Sequence, residues 1–426
     1  MKYRNLLLLL LLGSWAATAQ DTMRLTLDSC LSYAHEHNLQ VQTALLNQES
    51  QAAGLTGAKL RFLPSVNASA SQGWAWDVNG NSSNTQYGLN GSLTLFSGLA
   101  NLRNLQQSRA SADQSELKVQ QTRNSMDVQI VQAYLTILMN EEKLSYQQEV
   151  LETSRQQQLE GEVKYQVGRI LESDYLLLEA SYTSAQAEID NTGLTIESNR
   201  FSLADLLGID LHTVVEVVPS TDTTRAADRS VPPFDSIMAQ AKRTMPDWKI
   251  SQLDVDQARL SVRMAESAFL PTVSLNAGYG GGWMPAIGTG GSSFADNTSL
   301  TLGVNIPILN HGSSYTQLKQ SKIALQQAEL QHRQTLLDIE DELENLYINT
   351  QQALNRYRAS EALAEAYHAS YEVYVLKYGE GAVTTVEMLQ QQDRYLSALN
   401  DYLQNKYNYL LAERQLAIYT GRNTKF

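Results

Sequence analysis

The sequence is poor in cysteine and proline and carries an excess of acid, and each feature excludes a class of protein. Its one cysteine, Cys30, excludes an intrachain disulfide framework and a cysteine-rich metal site. With 8 prolines and 24 glycines among 426 residues, the chain is neither collagen-like nor a low-complexity linker. The formal net charge of −13 repels phosphate backbones, so we expect no nucleic acid among its partners.

Motifs of catalysis and cofactor binding are missing as well. The sequence contains no G-x-S-x-G, no H-E-x-x-H and no P-loop, so we expect neither an enzyme nor a bound cofactor. Its six histidines form no cluster apart from His35 and His37. Neighbours two apart on a helix point away from each other, so we expect both to face solvent and predict no metal site.

The longest apolar run is also too short to cross a bilayer as a helix. Leu6–Leu12 follows the basic residues Lys2 and Arg4 and precedes the small-x-small sequence at residues 17–19. This pattern predicts a signal peptide over residues 1–19, and therefore a mature chain that works outside the cytoplasm. The residues before Cys30 are not those of a lipidation site, so we predict no lipid anchor there.

The chain repeats itself. Residues 164–168 match residues 377–381 at an offset of 213, and Phe62-Leu63-Pro64 matches Phe269-Leu270-Pro271 at an offset of 207. We therefore divide the mature chain into a first repeat at 20–208, a linker at 209–233 that carries three prolines, a second repeat at 234–421 and a short tail at 422–426. The linker has room for a short strand near 214–218.

Each repeat contains a long stretch that is typical of helix. Residues 99–208 and 313–421 contain no proline and are rich in Gln, Leu, Ala, Glu and Lys. Apolar residues recur there at steps of three and four. A single helix from Leu99 to Lys164 would reach about 100 Å. Helices of that length are typical of coiled coils, and the small polar residues between the apolar ones suit repeated side-by-side interfaces.

The stretches between these helices predict strands instead. Apolar and small polar residues alternate over about 65–77 and 86–97, and again over about 272–283 and 298–309. Asp77 is the only charged residue from Pro64 to Gly98, and Asp296 the only acid between Pro271 and Gly312. A soluble β-sandwich would explain the alternation but not a polar face without charge. The pattern favours transmembrane β-strands.

Turns and tryptophans support the same interpretation. The segments at 79–84 and 288–297 are polar and rich in glycine, which predicts turns between the strands. Trp74, Trp76 and Trp283 lie near these turns and predict an interfacial aromatic belt. Four strands cannot close a barrel, and an open sheet edge in lipid is costly. Three copies would supply twelve strands, so we expect a homotrimer.

The order helix, two strands, helix, turn, helix, given twice over nearly the whole mature chain, resembles the TolC family of outer-membrane efflux and export ducts. The resemblance implies a mainly α fold with a membrane part: a trimeric twelve-stranded β-barrel prolonged by a coiled-coil α-helical periplasmic barrel. It implies a passive duct in the outer membrane of a Gram-negative-type bacterium, in contact with outer-membrane lipid. It also implies two protein partners, a periplasmic adaptor protein and an inner-membrane transporter.

Gly168 and Gly381 stand where each long helix must end, because glycine closes a helix in the left-handed conformation without a Cβ penalty. The four residues just before them are candidates for contact with an adaptor, although ordinary solvated helix ends explain them equally well: Lys164, Tyr165, Lys377 and Tyr378.

Acidic residues follow both glycines. The family places acidic rings at the closed periplasmic entrance, and Glu387 matches the first acid of that pattern while Gln390 replaces the second. Asp174 is the equivalent acid in the first repeat. Three copies of Glu387 would form a ring that favours cations and can bind a divalent ion. Alternatively, Thr384 and Glu387 have the spacing of a capping box, and Asp174 suits a helix N-terminus.

Two functions stay open from the sequence alone. The first is the duct. The second is a non-conducting coiled-coil spacer of the cell envelope, for which charge-free alternating strands would have no use. The cargo is equally open among drugs, metal ions, peptides and proteins.

Overall fold

The computed structural model describes residues 22–77, 80–210, 213–219, 231–285 and 292–421. The predicted signal peptide and C-terminal tail lie outside these ranges. The chain divides into two compact units. Unit 1 comprises Met1–Gln42, Thr122–Met245 and Glu340–Phe426, and unit 2 comprises Thr43–Gln121 and Pro246–Ile339.

The fold is mainly helical, and its elements follow the predicted order. The first half of the chain contains β1 (Thr22–Leu25), α1 (Leu27–His37), α2 (Leu39–Leu60), β2 (Ser65–Asp77), β3 (Gly80–Ser97), α3 (Ala100–Gln166), α4 (Glu172–Leu207) and β4 (Val214–Val217). The second half contains α5 (Phe234–Thr244), α6 (Pro246–Ser267), β5 (Thr272–Pro285), β6 (Ser292–Asn305), α7 (Ser313–Gly379) and α8 (Thr385–Tyr419).

The two long helices have the same length. Both α3 and α7 contain 67 residues, which is the uninterrupted helix that the proline-free stretches predict. Each begins directly after a strand pair and is followed by a shorter helix after a tight turn. The internal repeat is therefore present in the fold as well as in the sequence. None of the described helices is both long and apolar enough to cross a membrane.

Unit 2 contains one antiparallel sheet with the strand order β2-β3-β5-β6. Its centre is the pairing of β3 with β5, which joins the two repeats and contains a bulge between Thr94 and Phe96. The registers place the apolar residues of the four strands on one face, as in the pair Ala68 and Leu89 and in the row Leu93, Leu275 and Leu302. The opposite face carries Asn, Ser, Thr and Gly, so the alternation predicted from the sequence holds across the sheet.

Two predicted strand bounds were wrong. Strand β3 begins at Gly80 instead of near 86, and β6 covers Ser292–Asn305 instead of 298–309. Residues 80–84 and 292–297, expected in turns, therefore pair within the sheet. Backbone hydrogen bonds form the ladder whatever the side chain, so Ser- and Asn-rich segments extend the strands beyond the apolar alternation. Pro307, which has no N–H, follows soon after β6 ends.

Unit 1 contains a short parallel strand pair that the sequence did not reveal in full. Strand β4 lies in the predicted linker and pairs with β1, near the start of the described chain, and Arg24 forms an ion pair of 2.9 Å with Glu216 across them. Below the pair lies an apolar core that includes Tyr134, Leu203 and Cys30. Burial raises the pKa of the Cys30 thiol to about 12, so this cysteine is an inert packing residue.

The two histidines of α1 do not both face solvent. His35 Nε2 lies 2.6 Å from Asp127 Oδ1 on α3 and is only partly exposed, so the expectation was wrong for this residue. His37 stacks on Tyr33 of its own helix, with ring centroids 4.1 Å apart. The partner of His35 is 92 residues away in sequence and could not be recognised from spacing on α1 alone.

In unit 2, α3 and α6 pack through glutamine side chains. Three glutamines seven residues apart on α3 donate to residues seven apart on α6: Gln107 to Ser261, Gln114 to Asp254 and Gln121 to Asp247. A period of seven keeps these contacts on one line along both helices. Glutamines of the kind predicted to fill side-by-side helix interfaces thus donate here to one serine and two aspartates.

Candidate functional site

The two helix turns of unit 1 have the same backbone. In the first tip, defined here as residues 164–174, the N–H of Arg169 donates to the carbonyl of Lys164 at 2.7 Å. In the second tip, residues 377–387, the N–H of Ala382 donates to the carbonyl of Lys377 at 2.9 Å. Both are Schellman closures with a left-handed glycine, since φ is 74° at Gly168 and at Gly381. The conformation predicted for both glycines is confirmed.

The returning helices begin differently. In the second tip Thr384 and Glu387 form a capping box: the Thr384 N–H donates to Glu387 Oε2 at 2.9 Å, and the Glu387 N–H donates to Thr384 Oγ1 at 3.2 Å. In the first tip the N-cap is Leu171, which has no side-chain acceptor. Asp174 lies in the first turn of α4, where its charge faces the positive end of the helix dipole.

Glu387 combines the cap with exposure. The hydrogen bonds from the Thr384 backbone and hydroxyl lower the pKa of this carboxyl below its usual range, so it is ionised at neutral pH. Gln390 lies three residues further along α8 and is also exposed, so both side chains share one side of the helix. The capping role proposed from the sequence is present, and it leaves the carboxylate charged and open to solvent.

Side chains from the two tips contact each other. The Lys164 ammonium lies 4.3 Å from the ring centroid of Tyr378, at cation–π distance. Tyr378 is only 5% exposed and packs with Leu178 and Met388, which favours a packing role over contact with a partner. Burial raises the pKa of Tyr378 and keeps it protonated. Tyr165 instead stacks on Tyr175 of α4 and stays partly exposed. The Lys377 ammonium lies 5.6 Å from the ring centroid of Tyr374.

Polar pairs join α3 to α7 and to α8. Gln157 Nε2 donates to the Tyr371 hydroxyl at 3.2 Å, and Gln392 Nε2 donates to Ser154 Oγ at 3.1 Å. A charged group around Glu142, also on α3, adds to these two hydrogen bonds. Lys406 Nζ lies 2.8 and 2.7 Å from the two oxygens of Glu142, which also accepts from the Tyr407 hydroxyl. Such partly buried, charge-assisted bonds are stronger than surface ion pairs.

Exposed apolar residues at the first tip went unnoticed in the sequence. Val167 and Leu171 flank Gly168 and Arg169 and are 64% and 70% exposed. Apolar side chains in this position on a turn have no packing role within the described chain, so they extend the surface offered by the tip. Their position beside the tip glycine was the signal that could have identified them.

The predicted aromatic belt lies on the apolar face of the sheet in unit 2. Trp74 and Trp76 are on β2 and Trp283 is on β5, and all three are exposed. Trp283 contacts Phe294 on β6 with ring centroids 5.9 Å apart, and Phe294 in turn stacks on Tyr87 of β3. Tyr87 and Phe294 were not recognised in advance, although their strand positions have the same parity as the apolar residues.

Among the described residues, no group of three or more His, Cys, Asp or Glu side chains is arranged to hold a metal ion.

A duplicated long-helix hairpin and a four-stranded sheet with one apolar face are typical of outer-membrane efflux proteins. The chain belongs to the outer membrane efflux protein family, whose model matches residues 30–209 and 237–422. It is therefore an outer-membrane protein of an efflux family whose members are channels, not enzymes.

Individual relatives are distant but match over most of their length. The chain is 22% identical to the outer membrane efflux protein BepC of Brucella suis, over 97% of this chain and 89% of BepC. It is 24% identical to nodulation protein T of Rhizobium leguminosarum, over 89% of this chain and 81% of that protein. Its structure is similar to the crystal structure of CusC, with a TM-score of 0.79, 17% identity and coverage of 92% and 91% of the two chains.

Proposed function

We propose that three copies of this chain form the passive outer-membrane duct of a tripartite efflux or export system. The chain would supply four of twelve barrel strands and two of the six helical hairpins of a periplasmic tunnel. Energy for transport would come from an inner-membrane transporter, joined to the duct by a periplasmic adaptor protein. Membership of the efflux family supports the general function, and the geometry of the chain supports the particular assembly.

The sheet is the observation that carries this proposal. Its apolar face is exposed along all four strands, and within the described chain no strand pairs with the outer edge of β2 or of β6. Unpaired backbone groups in lipid cost several kcal/mol each, so the outer edges must find partners. Joining β6 of one copy to β2 of the next satisfies both edges with one repeated contact and closes a ring.

The tips supply the gate in this proposal. Exposed, ionised carboxylates of Glu387 from three copies form an acidic ring that attracts cations, with Gln390 as a neutral neighbour beside it. Asp174 is half-buried at the first tip and contributes less to such a ring. Gly168 and Gly381, with the exposed parts of Tyr165 and Lys377, form the surface offered to the adaptor.

A non-conducting spacer is the alternative. It would use the long helices but would not require a sheet with one apolar face and one polar face that is almost without charge. Conductance therefore separates the two functions.

The test is the conductance of the detergent-extracted full chain in a planar bilayer, with and without a divalent cation. We expect a small, cation-preferring conductance that Mg²⁺ reduces. Glu387→Gln should abolish the reduction, because glutamine keeps the capping geometry but removes the charge. Gln390→Glu should strengthen it by adding a second acidic ring. Oligomers that insert but never conduct would support the spacer.

A matched variant separates the charge of Glu387 from its cap. Thr384→Val removes the cap and leaves the carboxylate, so block by Mg²⁺ should persist if the ring is the gate. Block that is lost in Thr384→Val but kept in Glu387→Gln would contradict the ring. The trimer itself is tested by disulfide crosslinking of paired cysteines on β2 and β6, with buried Cys30 as the background, since closed rings of three are the expected product.

A further inference from the structure

The junctions between helix and sheet differ between the two repeats. Both enter their first strand through the same sequence, Phe62-Leu63-Pro64 and Phe269-Leu270-Pro271. The residues just before it are Lys59-Leu60-Arg61 in the first repeat and Glu266-Ser267-Ala268 in the second. The same structural position therefore carries two cations in one repeat and one anion in the other.

The first junction is exposed and its cations are free of acidic partners. Lys59 and Arg61 are exposed at the end of α2, and in the part of the chain that the structure describes no carboxylate forms an ion pair with either. Next to them Phe62 and Leu63 are 46% and 60% exposed. We call these four residues, Lys59, Arg61, Phe62 and Leu63, the basic collar.

The basic collar adjoins the apolar face of the sheet. It lies two to six residues before β2 begins at Ser65, at the opposite end of that strand from Trp74 and Trp76. Val66, the first apolar residue of the strand, is exposed like the collar residues. An apolar surface that ends in two unpaired cations matches the boundary of a bilayer, where acyl chains give way to phosphate groups.

We propose that the basic collar binds the phosphate group of phospholipids in the periplasm-facing leaflet, with Phe62 and Leu63 seated among the outermost acyl carbons. The inference rests on the proposed function, which places the helices in the periplasm and the apolar face in the membrane. It assigns three such lipid sites to a trimer rather than six, because the second repeat has Glu266 and Ala268 in the matching positions. This contact would fix the depth of the chain in the membrane.

The experiment measures lipids retained by the full-length oligomer after exchange into detergent containing equal amounts of phosphatidylglycerol and phosphatidylethanolamine. Retained lipid is quantified by mass spectrometry after gel filtration. Lys59→Gln with Arg61→Gln should lower the retained phosphatidylglycerol about twenty-five-fold, because each of the two cations near an anionic lipid surface contributes a factor on the order of five. Removing two distant cations, by Arg333→Gln with Arg394→Gln, should leave retention unchanged.

The second repeat provides a gain-of-function variant. Glu266→Lys with Ala268→Arg copies the two cations to the matching junction and should about double the number of retained anionic lipids per trimer. Inorganic phosphate at about 10 mM should not displace the lipid if the acyl contact contributes to binding. Displacement by phosphate would assign the site to free anions instead of lipid.

Equal retention in the wild type and the Lys59–Arg61 variant would overturn the proposal, as would an equal loss in the distant control. The conductance of every variant is recorded in parallel. A protein that retains phosphatidylglycerol through the collar but never conducts would refute the duct and leave the lipid site standing. A protein that conducts normally but retains no lipid through the collar would refute the lipid site and leave the duct standing.

Discussion

The two tips of unit 1 share a backbone but not their side chains. Each long helix ends in the same Schellman closure with the same φ of 74° at its glycine, although the sequences between the matching residues differ. The helices that return begin with a full capping box at Thr384 and with an uncapped leucine at Leu171. Both repeats therefore have the left-handed glycine that closes the long helix. Only the second repeat has a side-chain cap on the returning helix.

This difference fits the separate tasks that we propose for the two tips. The second tip has satisfied N-terminal amides and an ionised carboxylate, which suits a fixed charge at a gate. The first tip leaves those amides without a side-chain cap and exposes Val167 and Leu171, which suits contact with another protein. Substitutions of the shared glycines act on both tips, whereas substitutions of the capping residues act on one.

Replacing the tip glycines should have the largest effect. Gly168→Ala and Gly381→Ala place a Cβ in the left-handed region, at a cost of about 1–2 kcal/mol each. No atom lies within 4 Å of that Cβ at either position, so the cost is conformational and should be equal in the two tips. Hydrogen exchange would measure this cost, because the amides of the destabilised tip would exchange faster.

Gly379→Ala is the matched control. This glycine closes α7 only two residues away, has no positive φ and also has open space around its Cβ, so alanine should be neutral or slightly stabilising. A penalty at Gly381 that Gly379→Ala reproduces would show that the cost does not come from the left-handed conformation.

Removing the cap should have the next largest effect and should act on the second tip alone. Thr384→Val deletes the acceptor for the Glu387 N–H, which costs about 1 kcal/mol of helix stability. The matched substitution in the first tip, Leu171→Ala, removes no cap and should change exchange there very little. Equal acceleration of exchange in both variants would mean that the capping box does not stabilise α8.

The sequence predicted these backbone features because few residues can replace the ones involved. Only glycine adopts the left-handed conformation without penalty, so two glycines at one offset identify both tips from the sequence alone. The capping box is equally local, since it needs two residues three apart. The proline-free stretches and the alternating strands are also local patterns, and they located α3, α7 and the sheet.

Contacts between distant segments could not be predicted in this way. Strand β1 pairs with β4 across 192 residues, and no property of a four-residue strand specifies such a partner. Tyr378 seemed equivalent to Tyr165, yet one is buried against Leu178 and the other is partly exposed. The glutamines that pair α3 with α6 look like surface glutamines in the sequence, because only the packed partner distinguishes them.

Installing a cap in the first tip should give a smaller gain. Leu171→Thr with Asp174→Glu copies the capping box to α4, and we expect stabilisation of about 0.5–1 kcal/mol. Leu171 is highly exposed, so little burial is lost with it. Slower hydrogen exchange over the first turn of α4 would confirm the gain. Asp174→Glu alone is the control, because it lacks the threonine acceptor and should not slow exchange.

The smallest effect we predict is a pH dependence confined to the second tip. Glu387 has a pKa below its ordinary value of 4.5, because its ionised form accepts hydrogen bonds from Thr384 in the folded tip. Such a group adds stability that is present above the unfolded pKa and is lost as the pH falls through the folded one. Exchange at the second tip should therefore accelerate below about pH 4.5, in contrast to Glu387→Gln, whose neutral cap does not titrate. If the variant shows the same acceleration on acidification, a group other than Glu387 sets the pH dependence of this tip.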